Sequence, residues 1–68
     1  MSDFVILDPA KLKQTIETQN LKHWWLAEMA GIHRSTLRRW LTGQIVRVNV
    51  TRADRLRSVL GVGLADLS

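Results

Sequence analysis

The stretch that decides the fold is residues 23–43, HWWLAEMAGIHRSTLRRWLTG, in the middle of a 68-residue chain. Its apolar residues recur every three or four positions on both sides of Gly31, which predicts two short helices joined by a tight glycine turn. Ala27 is small enough for the second helix to cross close above it. Three further apolar residues would hold the helices together: Ile32, Leu37 and Trp40. The second helix should cover about residues 34–41 and leave its other face free to protrude.

The segments on either side of this unit predict two more helices and a closing turn. Asp8 and Pro9 indicate a helix start, because aspartate accepts hydrogen bonds at the N-cap and proline suits the first helical position. Thr51 with Asp54 three residues later predicts another start, since the pair resembles a capping box. Residues 64–67 are expected to form a last short helical turn.

Two short segments predict strands. Residues 4–7 are apolar and partly β-branched, and residues 45–48 belong to a stretch in which Val46, Val48 and Val50 alternate with polar residues. Such alternation is typical of a strand with one covered face, so the two segments are expected to pair into a small sheet. We therefore predict a mainly α fold, a compact bundle of four to five helices with a two-stranded sheet. Residues 1–68 would form a single domain.

The positive charge of the chain is concentrated in one segment. The net charge is +4, but residues 31–57 contain seven arginines and one acid, Asp54, for a net charge of +6. A contiguous basic block is typical of a surface that binds anions. DNA is one such partner, and RNA, membranes and acidic proteins are alternatives that the charge leaves open.

Other classes of function are disfavoured by the composition. There is no cysteine, and two histidines, His23 and His33, are too few for a metal site built from histidine alone. No apolar run approaches the roughly 20 residues that span a bilayer, and the N-terminus does not have the pattern of a secretory signal. The sequence shows no nucleophile–base pair, phosphate-binding loop or metal-ligand spacing. We therefore predict no enzyme activity, no cofactor, metal or small-molecule ligand, no membrane association, and a cytoplasmic location.

Taken together, residues 21–43 resemble the phage-repressor and Cro-like helix-turn-helix family, of the xenobiotic-response-element type. The likeness continues through Leu56, residues 59–62 and residues 64–67, and so covers nearly the whole chain. It implies a lambda-repressor-like DNA-binding domain with its motif at about residues 23–42. The implied function is sequence-specific binding of double-stranded DNA by a bacterial or phage transcriptional regulator, such as a repressor.

The resemblance also implies which residues contact DNA. In the family, the N-terminal half of the second motif helix enters the major groove. The resemblance assigns contacts with bases to His33, Arg34, Ser35, Arg38 and Arg39. Those assigned to phosphate contacts are His23, Thr36, Gln44, Arg47 and Arg52. Arginine can hold guanine O6 and N7 with two hydrogen bonds, so our hypothesis is a half-site that contains guanine. The alternative for each arginine is a phosphate contact or a solvated charge, and Arg55 and Arg57 are expected to be solvated.

Five positions depart from the family pattern, and two of them are Trp24 and Trp25, which stand where polar residues are common. His23 stands where a glutamine often contacts phosphate, and Lys22 and His33 replace the usual side-chain caps of the two motif helices. Each missing cap is expected to cost roughly 1 kcal/mol of stability.

A second hypothesis about function, binding of a partner protein, depends on Trp24, Trp25 and Met29. Trp25 and Met29 are four residues apart and share one helix face. We expect core or semi-core positions for the tryptophans, with one of them covering the first helix or the small sheet, whereas an exposed apolar patch would indicate a protein interface. The alternative function is therefore an antitoxin- or adaptor-like protein-interaction module. Because family members usually bind as dimers, we expect a homodimer on DNA. The candidate dimer interfaces are the last helix, the sheet edge and this patch. The alternative is that the chain is a domain of a longer protein.

Overall fold

The computed structural model describes residues 3–68, which contain four helices, two short strands and one 3-10 turn. In chain order these are β1 (Phe4–Ile6), α1 (Pro9–Thr18), α2 (His23–Ala30), α3 (Arg34–Thr42), β2 (Arg47–Asn49), α4 (Val50–Leu60) and the 3-10 turn Leu64–Asp66. The predicted mainly α fold with a small sheet and a closing turn is confirmed. The first two residues of the predicted domain lie outside the described part. None of the described helices is long and apolar enough to cross a membrane.

Helix α1 begins where the sequence predicts. The Asp8 side chain accepts a hydrogen bond from the backbone N–H of Ala10 at 2.9 Å, and Pro9 occupies the start of the helix. The cap satisfies a backbone donor that has no partner inside the helix, while proline lacks the donor altogether. The helix then buries Leu12 and Ile16, as their four-residue spacing requires.

The turn between α2 and α3 depends on Gly31. Its φ of +70° is a left-handed conformation that costs glycine little and other residues more. This geometry lets the Ile32 N–H donate to the Ala27 carbonyl at 2.9 Å, so the end of α2 is closed while the chain turns into α3. Gly43, with φ +79°, ends α3 in the same way.

The core lies where the four helices meet the inner side of the sheet. Five side chains of the motif are buried, as predicted: Leu26, Ala27, Ala30, Leu37 and Trp40. Ile32 is partly buried against them. Helix α3 packs on α1 and α2, and α2 also packs on α4. No charged or polar side chain is buried in residues 3–68, so burial of apolar surface, at roughly 25 cal/mol per Å², is the main stabilising contribution.

The sheet is antiparallel and shorter than predicted. Phe4 lies opposite Asn49, Val5 opposite Val48, and Ile6 opposite Arg47. The predicted strand 45–48 is therefore wrong at both ends, and 4–7 is one residue too long.

Asn49 determines where β2 ends and α4 begins. Its side-chain oxygen accepts a hydrogen bond from the Thr51 N–H at 2.8 Å, so α4 starts at Val50 and the prediction that Thr51 is the cap is wrong. Asparagine is among the best N-cap residues, which explains the early start. Because Val46 precedes the strand and Val50 is already helical, both are exposed, and only Val48 of the three alternating valines is buried.

Candidate nucleic-acid interface

Helix α3 presents a cationic face to solvent. Leu37 and Trp40 anchor the helix in the core, Leu41 is partly buried beside them, and the other residues of the helix are polar. The exposed residues of the helix are Arg34, Ser35, Arg38, Arg39 and Thr42. His33, the N-cap of α3, is also exposed and makes no side-chain capping bond, as the sequence predicts. All five residues that the sequence assigns to base contacts are therefore accessible.

A groove of about 610 Å³ runs along one flank of α3 and connects it to the start of α2. Arg34 and Arg38 line it from α3, and His23, the first residue of α2, lines it from the other side. The N-cap of α2 is Lys22, whose side chain makes no capping bond. The first N–H groups of α2 are therefore not occupied by this side chain, and such groups can hydrogen-bond an anion.

The other flank of α3 carries a second group of predicted contacts. A depression of about 270 Å³ is lined by residues of α3, of both strands and of α4, including Phe4, Thr36, Arg39, Arg47 and Arg52. Thr36 and Arg52 also line an adjoining depression of about 220 Å³ together with His33. The structure thus places α3 between two flanks that each carry basic side chains. Gln44 is exposed after the end of α3 but lines none of these three depressions.

Most of the arginines have no carboxylate partner within residues 3–68. The exception is Arg57, whose Nε lies 2.7 Å from Asp54 Oδ1. Arg55 lines a separate groove between α2 and α4 with Asp54 and forms no ion pair there. The five arginines of the two α3 flanks therefore keep an unneutralised charge. Guanidinium groups carry five N–H donors in a plane, an arrangement that suits phosphate oxygens and the guanine edge.

The sequence prediction missed the contact between Phe4 and Arg47. Arg47 Cζ lies 4.5 Å from the centroid of the Phe4 ring, which is cation–π geometry. An aromatic residue in one predicted strand and an arginine in the other were visible in the sequence. Pairing them required the strand register, which the sequence analysis did not predict and the structure supplies.

The tryptophans of α2 are not in the core. Trp24, Trp25 and Met29 keep 49%, 36% and 56% of their surface exposed. Our preferred interpretation of core or semi-core positions is therefore wrong, and the exposure of all three side chains fits the alternative, an apolar patch on α2. Trp40 is buried, as predicted. The difference arises because Leu26, Ala27 and Ala30 already occupy the inward side of this eight-residue helix.

A sequence profile of the helix-turn-helix family, of the Cro/C1 type, matches residues 26–67. The match covers more than half of the chain, and the protein therefore belongs to this family. Its members are DNA-binding regulators and are typically not enzymes. No curated protein sequence matches the chain significantly.

The fold is similar to part of a solved structure described as "Native PhpD with Cadmium Atoms". The two share 25% sequence identity with a TM-score of 0.76 over 94% of this chain, which corresponds to 13% of the PhpD chain. The protein thus spans only a small part of the length of that relative. Within residues 3–68, no three His, Cys, Asp or Glu side chains lie close enough together to hold a metal ion.

Proposed function

We propose that the chain binds double-stranded DNA sequence-specifically, with α3 in the major groove, as a bacterial or phage transcriptional regulator acting at the nucleoid. The observation that carries this proposal is the exposed, unneutralised arginine face of α3 in a member of a DNA-binding family. An α-helix fits the major groove of B-DNA, where each base pair presents a distinct set of donors and acceptors. In this proposal residues 1–68 act as one DNA-binding domain.

The base-reading residues of the proposal are those exposed on and before α3: His33, Arg34, Ser35, Arg38 and Arg39. Arg34 and Arg38 are four residues apart and line the same groove, so both can reach neighbouring base pairs. Each would hold guanine O6 and N7 through two hydrogen bonds. Arg39 lines the opposite depression, where a phosphate is the alternative partner.

The phosphate contacts of the proposal lie on both flanks of α3. His23 and the start of α2 would contact one backbone, and Thr36, Arg47 and Arg52 would contact the other, with Gln44 beyond the end of α3. Such contacts fix the position of a protein on the duplex without reading sequence. Two flanks that carry charge on either side of a protruding helix match the two backbones that border a groove.

Selection of bound duplexes from a random pool, followed by salt titration of the winner, tests this function. We expect an enriched sequence that contains guanine, and an affinity that falls steeply with salt, since each neutralised phosphate contributes a slope of about −0.9 in log K against log salt. No enrichment together with a slope near zero would contradict the proposal. Enrichment of sequences without guanine would contradict only the assignment of the arginines to guanine.

The exposed patch of Trp24, Trp25 and Met29 is proposed as the contact between two copies on DNA. A helix as short as α3 reads one half-site, and family members pair on half-sites about one helical turn, roughly 34 Å, apart. The molecule measures 34 × 21 × 19 Å, so two copies have room to lie side by side at this spacing. Apolar side chains exposed in such a cluster are typical of a protein interface.

Changing Trp25 to glutamine is expected to halve the mass of the protein bound to a two-half-site duplex at protein concentrations near the dissociation constant, because the patch loses one of its two tryptophans. Mass measurement of the complex at several protein concentrations checks this. Ile6→Gln is the matched control, since it changes an exposed apolar residue of the sheet. It also tests the alternative dimer interface, which is formed by the strand edge. Unchanged mass for Trp25→Gln, with halved mass for Ile6→Gln, would move the interface to the sheet.

A further inference from the structure

The outer face of the sheet adjoins the basic depression beside α3. In the antiparallel register, Val5 and Val48 face inward, so their neighbours in the strands face outward. The outward residues are Phe4, Ile6, Arg47 and Asn49. Phe4 and Arg47 occupy diagonal positions on this face, a spacing that aromatic and long side chains can bridge, and they line the same depression as Arg39 and Arg52.

Arg47 lies on the Phe4 ring, with Cζ 4.5 Å from the ring centroid. A guanidinium carries five N–H donors, more than contact with a single ring can occupy, so donors remain available beside the ring. Arg47 forms no ion pair with a carboxylate within residues 3–68. The ring therefore holds the group in place, and among the described residues no carboxylate pairs with its charge and no acceptor is seen for its side-chain donors.

We propose that Phe4 is a positioning residue that holds the Arg47 guanidinium ready to bind a DNA phosphate beside the groove occupied by α3. This inference rests on the proposed DNA binding and adds the sheet to the DNA-contacting surface. A free arginine loses rotamer freedom when it binds, whereas stacking on Phe4 restricts Arg47 before DNA arrives. The phosphate contact is independent of sequence, so Phe4 contributes affinity without changing which bases are preferred.

The expected size of the effect follows from counterion release. One neutralised phosphate changes the slope of log K against log salt by about 0.9, which corresponds to about eightfold in affinity near 0.1 M salt. Arg47→Ala removes this whole contact. Phe4→Leu removes the ring but keeps an apolar side chain, and is expected to weaken binding about two- to fivefold, the contribution of an exposed cation–π pair.

The test is a double-mutant cycle on the 68-residue chain with two probes, the selected duplex and a random-sequence duplex of the same length. Phe4→Leu and Arg47→Ala are measured singly and together, with Phe4→Tyr as the rescue variant that keeps the ring. Ile6→Ala is the matched control, because Ile6 lies on the same outward face, is 58% exposed and has no ring. Thermal unfolding verifies that each variant is folded, which we expect since Phe4 is 43% exposed.

Support consists of four results. Phe4→Leu weakens binding to both probes by the same factor, and the double variant is no weaker than Arg47→Ala. Phe4→Tyr restores affinity, and Ile6→Ala changes neither affinity nor salt slope. The positioning role is overturned if Phe4→Leu binds DNA with the same affinity as the unchanged protein. It is also overturned if the loss of affinity in the double variant equals the product of the two single losses. If the unchanged protein binds neither duplex, the proposed function itself fails. If Arg38→Ala loses affinity for DNA and Phe4→Leu does not, only the present inference is rejected.

Discussion

Replacing both Arg34 and Arg38 with alanine is expected to weaken binding to the selected duplex by at least about 5- to 150-fold, the discrimination supplied by one bidentate arginine–guanine pair. The two side chains line one groove on the exposed face of α3, so both contacts would be lost together. Residues this close share partners, and their effects need not multiply. Fluorescence titration of a labelled duplex at fixed salt measures the loss.

Arg57→Ala is the matched control for this experiment. Arg57 belongs to the same basic block but is paired with Asp54 and lines neither flank of α3, so its removal is expected to change affinity less than about twofold, in the range of an exposed ion pair. A second comparison separates bases from phosphates. If the double variant weakens every duplex equally and lowers the salt slope by about two, Arg34 and Arg38 contact phosphates. Unchanged affinity for all duplexes would remove α3 as the contact surface.

Replacing Trp40 with alanine is expected to lower the free energy of unfolding by about 3–5 kcal/mol, the usual cost of removing a buried aromatic side chain. Trp40 is 2% exposed and belongs to the core that holds α3 in place. At roughly 0.05–0.15 kcal/mol per residue, a chain of this length has a net stability of only about 3–10 kcal/mol. The variant should therefore lose at least about a third of its net stability. Urea unfolding followed by circular dichroism measures the change.

Trp24→Ala provides a control with the same chemistry at an exposed position. Trp24 is on α2 and keeps about half of its surface accessible, so its removal is expected to change the free energy of unfolding by less than about 1 kcal/mol. Both variants are measured at low protein concentration, where association through the patch contributes little. Equal losses for the two variants would mean that the burial of Trp40 does not govern stability, and the packing described for α3 would have to be revised.

Local signals made the helices and the motif predictable. Asp8 and Pro9 define the start of α1 through contacts within three residues, and Gly31 and Gly43 end α2 and α3 by adopting positive φ angles. The spacing of Leu37 and Trp40 was enough to identify the inward side of α3 and hence its arginine-bearing outward side. The same local reasoning failed at the start of α4, because Thr51 and Asn49 both suit an N-cap and the sequence pattern favoured the wrong one.

The sequence by itself determined the two-helix unit, its glycine hinge and the exposure of the arginines on α3, because these features depend on backbone preferences and on periodicity within one or two turns. Only the tertiary structure decided that Arg47 stacks on Phe4, that His23 faces the groove of Arg34 and Arg38, and that the α2 tryptophans are exposed. Each of these depends on which elements pack together and in which register. Strand pairing between residues more than forty positions apart cannot be derived from local preference, since a shift of one residue reverses the face to which every side chain points.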